Sequence, residues 1–124
     1  GQVETTLTAD SPVTSTVWSP DNQRFVTGHE DGSIAIWTLA SEQPLVLPTD
    51  QGAEAVTALA WHPTLGQLLS GDASGILRLW DVETGTLLQD VTVHTDSITA
   101  LAWNGSGTQY LSASDDGTVL IWQP

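Results

Sequence analysis

The chain has 124 residues, of which 40% are hydrophobic, and it contains neither cysteine nor methionine. The chain has fifteen carboxylates, two arginines and no lysine, so the formal net charge is −13 at pH 7. Such a charge repels phosphate backbones and anionic lipids, which argues against binding to nucleic acids and membranes. The lack of cysteine excludes disulfides, thiolate metal sites and cysteine redox chemistry.

No stretch approaches the length of a membrane-spanning apolar segment, and the first ten residues, GQVETTLTAD, have neither a basic region nor an apolar signal segment. These features predict a soluble, untargeted protein of the cytoplasm, unless the chain is engineered. Because the chain begins with glycine and lacks methionine, we expect an excised, processed or designed unit.

Six tryptophans divide into two series with the same spacing, 43 and then 42 residues, and each member of the second series follows one of the first by 19 residues. The two series are Trp18, Trp61 and Trp103, and Trp37, Trp80 and Trp122. A fixed period near 42 residues indicates a supersecondary unit copied in tandem. Three copies account for almost the whole chain.

Each copy contains three short β-rich runs, called strands a, b and c, which turn-forming clusters separate. Copy one reads VTSTVWSP and then RFVTGHEDGSIAIWT. Copy two reads VTALAWHP and then QLLSGDASGILRLWD. Copy three reads ITALAWNG and then QYLSASDDGTVLIWQ. Pro, Gly, Asn and Asp between the runs supply the dihedrals of tight turns. A fourth strand, d, is predicted at PLVLP in copy one and at TLLQDVTV in copy two. No helix is expected.

Copy three stops after its c strand, whereas VETTLTAD, before copy one, matches the passage from d to a in the other copies. The predicted order is therefore d, abcd, abcd, abc, a circular permutation with twelve strands in three sheets. The units cover residues 13–48, 55–93 and 97–124, and residues 1–10 supply the missing strand of the third. That strand has to pair with the same molecule's C-terminus or with another molecule's, because a bare edge promotes aggregation.

These repeats resemble the WD-repeat β-propeller family over essentially the whole chain. Family blades are four-stranded antiparallel sheets packed radially around a channel, with a glycine–histidine pair near the d–a loop and a tryptophan–aspartate pair ending strand c. The resemblance implies an all-β fold with three blades. Trp18, Trp61 and Trp103 in strand a are expected to fill the space between adjacent sheets as core residues, not to bind sugars.

The resemblance also implies a structural hydrogen-bond tetrad in copy three, formed by His94, Ser112, Asp116 and Trp122. A neutral imidazole can donate to the carboxylate and accept from the hydroxyl, whose oxygen accepts from the indole. The same residues contain the components of a nucleophilic triad, but the serine lies within a strand, so we favour the structural interpretation. We predict no enzyme activity, no cofactor and no metal site.

The other two copies depart from the family pattern. Ala9 and Gly52 stand where the histidine belongs, and Ser74 replaces the aspartate of copy two. Their partial tetrads are Thr27, Asp31 and Trp37 in copy one, and Ser70 and Trp80 in copy two. These two blades are therefore expected to be less firmly tied than the third.

The two other histidines and one acidic turn have no predicted site role. His29 and His62 have no partners at metal-ligand spacing and are expected to be exposed loop residues. The sequence Asp115-Asp116-Gly117 lacks the carboxylate ladder of a calcium loop and predicts a tight turn between strands b and c.

In family geometry the d–a and b–c loops share one face of the propeller, and here both sets of loops are rich in carboxylates. The predicted acidic face comprises Asp10, Glu30, Asp31, Asp50, Glu54, Asp72, Asp96, Asp115 and Asp116. A basic peptide or protein is one candidate partner for this face. The alternative is a solvated surface that only repels.

Three blades do not close a ring, since propellers typically have about four to eight. An open arc would expose two apolar faces, lined by residues such as Val17, Ala60 and Leu101, and self-assembly is the expected remedy. A homodimer would place six blades at about 60° and a homotrimer nine at about 40°. The trimer is favoured, because spreading blades at the rim is easier than crowding the tryptophans; a heteromeric partner with four more blades is the third alternative.

Two functions therefore compete at this point. The first is a self-assembling structural building block of designed or excised origin, without catalytic activity. The second is a natural protein-interaction scaffold whose acidic face recruits a basic partner.

Overall fold

In the residues that the computed structural model describes, 1–41, 43–49 and 53–123, eleven strands form three antiparallel sheets. Each sheet is one blade. The strands are β1 (Val13–Trp18), β2 (Arg24–His29), β3 (Ile34–Thr38), β4 (Leu45–Val46), β5 (Val56–Trp61), β6 (Gln67–Asp72), β7 (Ile76–Asp81), β8 (Thr86–Thr92), β9 (Ile98–Trp103), β10 (Tyr110–Ser114) and β11 (Val119–Trp122). The sheet orders are β1-β2-β3-β4, β5-β6-β7-β8 and β9-β10-β11. Over these same ranges, no helix has the length and apolar composition needed to cross a membrane.

Each b–c hairpin turns on a glycine in the left-handed region of backbone space. Gly32, Gly75 and Gly117 have φ angles of 85°, 89° and 88°. Because a Cβ atom disfavours positive φ, glycine is the residue that such a turn requires. The repeated glycine therefore places the same tight reversal at the same end of all three blades.

The twelfth strand predicted from residues 1–10 is not formed within one chain. Residues 1–9 contain no strand, and the sheet of the third unit has three strands with β11 at its edge. The first residues lie instead beside blade one, where Val3 and Leu7 line a cleft with Trp18 and Phe25. Pairing of this segment with another molecule stays a prediction.

Among the described residues the core has two parts, one in each gap between adjacent blades. The first gap contains Val26, Ile34, Ile36, Leu47, Val56, Trp61, Leu68, Trp80 and Val82. The second contains Ala58, Ala60, Leu69, Leu77, Leu79, Ile98, Leu101 and Tyr110. The ladder hydrogen bonds stay within each sheet, and apolar burial in these gaps holds adjacent blades against one another.

The strand a tryptophans differ in burial, although the sequence predicts that all three are core residues. Trp61 is 9% exposed and Trp103 is partly buried, but Trp18 is 55% exposed. Trp61 packs in the first gap and Trp103 against the second, so each faces the preceding blade. Trp18 belongs to the first blade of the chain, and the prediction is wrong for it in a single molecule because no described blade precedes it.

The prediction that Val17, Ala60 and Leu101 line the open ends of the arc is also wrong. Ala60 and Leu101 are 7% and 9% exposed, and both lie in the second gap. Val17 is partly buried against the first gap. The physical reason is that these three residues face internal gaps, which neighbouring blades of the same chain fill.

Candidate functional site

Blade three holds a chain of four hydrogen-bonded side chains. Trp122 Nε1 donates to Ser112 Oγ at 3.1 Å, Ser112 Oγ lies 2.8 Å from His94 Nε2, and His94 Nδ1 lies 3.1 Å from Asp116 Oδ2. A neutral imidazole with its proton on Nδ1 satisfies every member, because Ser112 then donates to Nε2. His94 and Ser112 are 3% and 0% exposed. The network ties the d–a loop to β10, β11 and the turn between them.

The Asp116 carboxylate accepts several hydrogen bonds at once. Thr118 Oγ1 donates to Oδ1 at 2.5 Å, Thr118 N donates to the same atom at 2.9 Å, and Thr95 N donates to Oδ2 at 3.1 Å. His94 Nδ1 also lies 3.0 Å from Thr118 Oγ1. The side-chain hydrogen bond from Thr118 is the main cause that lowers the pKa of Asp116 well below its ordinary value of 3.8, and desolvation acts against it.

His94, Ser112 and Asp116 have the composition of a nucleophilic triad, but their surroundings do not suit catalysis. A nucleophile has to reach a substrate atom, and Ser112 has no solvent exposure. Its oxygen also accepts the Trp122 indole N–H. The geometry therefore favours the structural interpretation of these residues.

Blade one builds an equivalent chain with a histidine from a different element. Trp37 Nε1 donates to Thr27 Oγ1 at 3.0 Å, Thr27 Oγ1 lies 2.8 Å from His29 Nε2, and His29 Nδ1 lies 3.0 Å from the Ser11 carbonyl oxygen. His29 is 3% exposed, so the prediction of an exposed loop residue is wrong. The available signal was its spacing: residues two apart in a strand project to the same face, and Thr27 and His29 both lie in β2.

Asp31, the third predicted member of the blade one tetrad, is bound within its own turn. Its Oδ1 accepts from Ser33 N at 2.9 Å and from Ser33 Oγ at 2.5 Å. These hydrogen bonds, with the side-chain bond as the larger cause, lower the pKa of Asp31. The structure therefore brings Thr27 and Trp37 together but places His29, not Asp31, beside them.

Blade two uses an arginine–carboxylate pair at the corresponding place. Trp80 Nε1 donates to Ser70 Oγ at 2.9 Å, while Gly52, the predicted position of the missing histidine, lies outside the described residues. Asp72 Oδ2 accepts from Arg78 Nη1 at 2.9 Å, and Arg78 Nε lies 3.7 Å from Asp90 Oδ2. The arginine thus joins β6, β7 and β8.

Asp72 does not belong to the acidic face that the sequence predicts. It is 2% exposed, because its Oδ1 accepts from Ser74 N and Ser74 Oγ at 2.9 and 2.7 Å while its other oxygen binds Arg78. A buried carboxylate is stable only when it is paired and hydrogen-bonded, and Asp72 meets both conditions. The prediction is therefore wrong for this residue.

His62 is buried between blades two and three, with 4% exposure, and the prediction of an exposed loop residue is wrong here too. Its Nδ1 accepts from Thr64 N at 3.1 Å and from Leu65 N at 2.9 Å, and its Nε2 lies 3.0 Å from the Gly107 carbonyl oxygen. The ring centroid lies 4.5 Å from that of Trp103. His62 caps its own turn and links it to the corresponding turn of the next blade.

The remaining carboxylates of the predicted acidic face lie at one end of the blades. Three backbone hydrogen bonds of 3.0 Å join b–c loops to d–a loops, from Glu30 N to Pro12 O, from Ala73 N to Ala55 O and from Asp115 N to Ser97 O. The exposed carboxylates in these loops are Asp10, Glu30, Asp31, Glu54, Asp96 and Asp115. Asp116 is partly buried, and Asp50 lies outside the described residues.

Both arginines are engaged away from these exposed carboxylates. Arg24 Nη2 lies 2.7 Å from Glu83 Oε1, and its guanidinium carbon lies 5.1 Å from the ring centroid of Trp61. Arg78 binds the buried Asp72. The six exposed carboxylates therefore form a surface of one charge sign.

The outer side of blade three is an exposed apolar surface, the rear end face, formed by Leu111, Val119 and Ile121. These residues are 36%, 61% and 72% exposed. Their positional equivalents in blade two, Leu69, Leu77 and Leu79, are 0%, 5% and 8% exposed because blade three covers them.

The outer side of blade one is the matching surface, the front end face, formed by Val13, Trp18 and Phe25. Val13 and Trp18 are 53% and 55% exposed. The rings of Phe25 and Trp18 meet edge to face, with their centroids 5.6 Å apart. Their equivalents in blade two, Val56, Trp61 and Leu68, are 3%, 9% and 0% exposed because they pack on blade one. The sequence alone did not distinguish these end residues from their buried equivalents, since the repeats carry the same residue types.

Comparisons with known proteins identify the same architecture. A family model described as the anaphase-promoting complex subunit 4 WD40 domain matches residues 36–106, more than half of the chain. A second model, described as the WD domain, G-beta repeat, matches residues 1–38.

Relatives and solved structures of larger proteins match most of the chain. Protein FIZZY-RELATED 2 of Arabidopsis thaliana is 34% identical over 84 residues, which cover 65% of this chain and 17% of the relative. WD repeat and HMG-box DNA-binding protein 1 of Xenopus laevis is 38% identical over 68 residues, which cover 55% and 6%.

Two solved structures share the fold. A chain in the crystal structure of the mitotic checkpoint complex matches with a TM-score of 0.81 at 28% identity, covering 90% of this chain and 33% of that one. The structure of U3-55K matches with a TM-score of 0.85 at 26% identity, covering 94% and 37%. This chain therefore spans less than two fifths of each of these proteins. Together with the three packed antiparallel sheets, the matches show that the chain belongs to the WD40-repeat family of β-propellers.

Proposed function

We propose that the 124-residue chain is a non-catalytic β-propeller building block that assembles through its two end faces into a closed ring of identical chains. The family is one of protein-interaction scaffolds, and one structural neighbour was solved in the mitotic checkpoint complex, itself an assembly of proteins. The buried Ser112 argues against a catalytic role for the tetrad. The building block therefore acts by providing surfaces.

The observation that carries this proposal is the match between the front and rear end faces. The two internal gaps join a rear face of one blade to a front face of the next, and both gaps exclude water. A second copy, placed head to tail, would repeat this contact with Ile121 and Val119 against Trp18 and Phe25. Burial of these exposed apolar side chains favours association at roughly 25 cal/mol per Å2.

A repeated threonine contact supports the same arrangement. Thr14 Oγ1 lies 3.0 Å from the Gly28 carbonyl oxygen and 2.5 Å from that of Val56 in the next blade. Thr57 repeats this contact with the carbonyl of Ile98. Thr99 of blade three is the equivalent of Thr14 and Thr57. In the proposed assembly its acceptor would be the Val13 carbonyl oxygen of the following copy.

The free edge of β11 is expected to take the N-terminal segment of a second copy. Residues 3–7 lie beside the front end face, which is where the edge of the preceding copy's blade three would be. Pairing of these residues with Val119–Trp122 (β11) would give blade three its fourth strand and remove an exposed edge. Deleting residues 1–9 should therefore produce monomers or aggregates, and an unchanged oligomer would contradict this pairing.

Ring size follows from the number of blades per chain. A homotrimer closes nine blades and a homodimer six, and we favour the trimer. Native mass spectrometry of the purified chain gives the number directly, since each chain contributes 13.1 kDa.

Sedimentation over a salt series tests the proposal with matched variants. Because every copy carries −13, added salt should strengthen assembly by screening repulsion. Ile121→Asp should abolish assembly, whereas Leu65→Asp, which adds the same charge at an exposed leucine in a turn, should preserve it. A 13.1 kDa monomer under every condition would overturn the proposal.

A second candidate function, recruitment of a basic partner by the acidic face, is favoured by the one-sign surface described above. Six exposed carboxylates share loops at one end of the blades, and both arginines are engaged elsewhere. A lysine-rich peptide is the probe, titrated at low and moderate salt. Neutralising Glu30 and Asp96 should weaken its binding more than neutralising Asp21 and Glu83; equal effects would indicate only bulk attraction.

A further inference from the structure

Close packing between blades depends on a glycine at one position of strand b. A Cβ atom built on Gly28 would lie 2.5 Å from Val56 Cγ1 and 2.8 Å from Val56 Cβ. One built on Gly71 would lie 2.6 Å from Ile98 Cγ2 and 2.9 Å from Ile98 Cβ. Neither glycine has a positive φ, so space and not backbone geometry is what requires glycine here.

The facing side chains cannot easily yield to an added methyl group. Valine and isoleucine are branched at Cβ and stiff about χ1, and the contact reaches their Cβ atoms, which move only with the backbone. Any side chain larger than hydrogen at this position therefore separates the two blades locally. The close approach at both internal junctions is a consequence of Gly28 and Gly71.

Blade three carries alanine at the equivalent position. Ala113 pairs with Ala100 of β9, as Gly28 pairs with Ser15 and Gly71 with Ala58. On the opposite side of a head-to-tail junction, Val13 is the equivalent of Val56 and Ile98. The contact between copies would thus place Ala113 against Val13, where the internal junctions have glycine against a branched side chain.

We infer that Ala113 presses on Val13 of the next copy and holds the junction between copies wider than the two junctions within a chain. The junction between copies is therefore the weakest and most reversible of the three. This inference rests on the assembly proposed above. Gly117 keeps the turn conformation of Gly32 and Gly75, with φ of 88° and no described residue within 4 Å of its built Cβ. The turn at Gly117 therefore leaves room for the d–a loop of a following copy.

Self-association of variants, measured by sedimentation equilibrium, tests this inference. Removing the methyl group with Ala113→Gly should lower the dissociation constant by about fivefold or more, since relief of overpacking is of that order. Ala73→Gly is the matched control in a turn of blade two and should leave the dissociation constant unchanged. Gly71→Ala should lower the thermal midpoint of the chain, because it places the same methyl group in an internal gap.

A double-variant cycle identifies the partner of Ala113. In a chain with Val13→Ala, the gain from Ala113→Gly should shrink, because the smaller side chain already leaves room. A full gain in that background would overturn the contact with Val13. Assembly that persists unchanged in Ala113→Gly would overturn the inference while leaving the proposed ring intact, whereas no self-association in any variant would overturn both.

Discussion

Blade one and blade three place the same three chemical groups in line, yet they recruit the imidazole from different parts of the chain. In blade three His94 comes from the loop before strand a, and in blade one His29 comes from the end of strand b. In both, an indole donates to a hydroxyl that lies 2.8 Å from Nε2. The network therefore depends on where the imidazole ring lies in space, not on the position of the histidine in the repeat.

The two networks end on different acceptors. His94 donates to the carboxylate of Asp116, whereas His29 donates to the carbonyl oxygen of Ser11. A hydrogen bond to an ionised acceptor is stronger than one to a neutral carbonyl. We therefore expect blade three to be more firmly tied than blade one.

The largest expected effect is that of His94→Ala. It removes the partner of Ser112 and one donor to Asp116, so the free energy of unfolding should fall by about 1–3 kcal/mol. Urea denaturation at matched protein concentration measures it, with Thr92→Ala, at an exposed strand position, as the control. A loss no larger than that of the control would refute the tetrad's stabilising role.

His29→Ala should cost somewhat less, about 1–2 kcal/mol, because its lost acceptor is a neutral carbonyl. An exposed loop histidine would give almost no change. Urea denaturation of His29→Ala therefore distinguishes a buried, hydrogen-bonded His29 from an exposed one. Equal losses for His29→Ala and His94→Ala would show that the charge on Asp116 does not strengthen the blade three network.

The indole hydrogen bonds of the two blades can be tested by substitution. Trp122→Phe and Trp37→Phe each remove one N–H donor while keeping an aromatic ring, with an expected loss of about 0.5–1.5 kcal/mol from the hydrogen bond. Combining each with alanine at its hydroxyl partner, Ser112 or Thr27, should give a total smaller than the sum. Additive losses would mean that the two groups do not interact.

The smallest expected effect is the loss of folding stability at acid pH through Asp116. The pKa of Asp116 is lower in the folded chain than its ordinary value of 3.8, chiefly through Thr118, so the folded state binds fewer protons than the unfolded state between those two values. Its stabilising effect is complete above the ordinary value and is lost as the pH falls through the folded pKa. Stability curves of Asp116→Asn and the parent should therefore converge on acidification; parallel curves would contradict this linkage.

Some of these features could be predicted from local sequence because they depend on short-range geometry. The tryptophan period gives the blades, the short apolar runs between turn clusters give strands a to c, and Gly32, Gly75 and Gly117 mark the turns. The tetrad positions in copy three follow from the family pattern. Each of these inferences needs only residues that lie close together in the chain or that recur at the period.

The tertiary structure alone decided which polar residues are buried. His62 and Asp72 appear in turn sequences that are usually exposed, but His62 lies under Trp103 of the next blade and Asp72 is neutralised by Arg78 across its sheet. Conversely, Trp18 matches the buried Trp61 in sequence and is exposed. Local sequence therefore determined the three blades and their turns, whereas burial was decided by the neighbouring blade, because a side chain leaves water only when another surface packs over it.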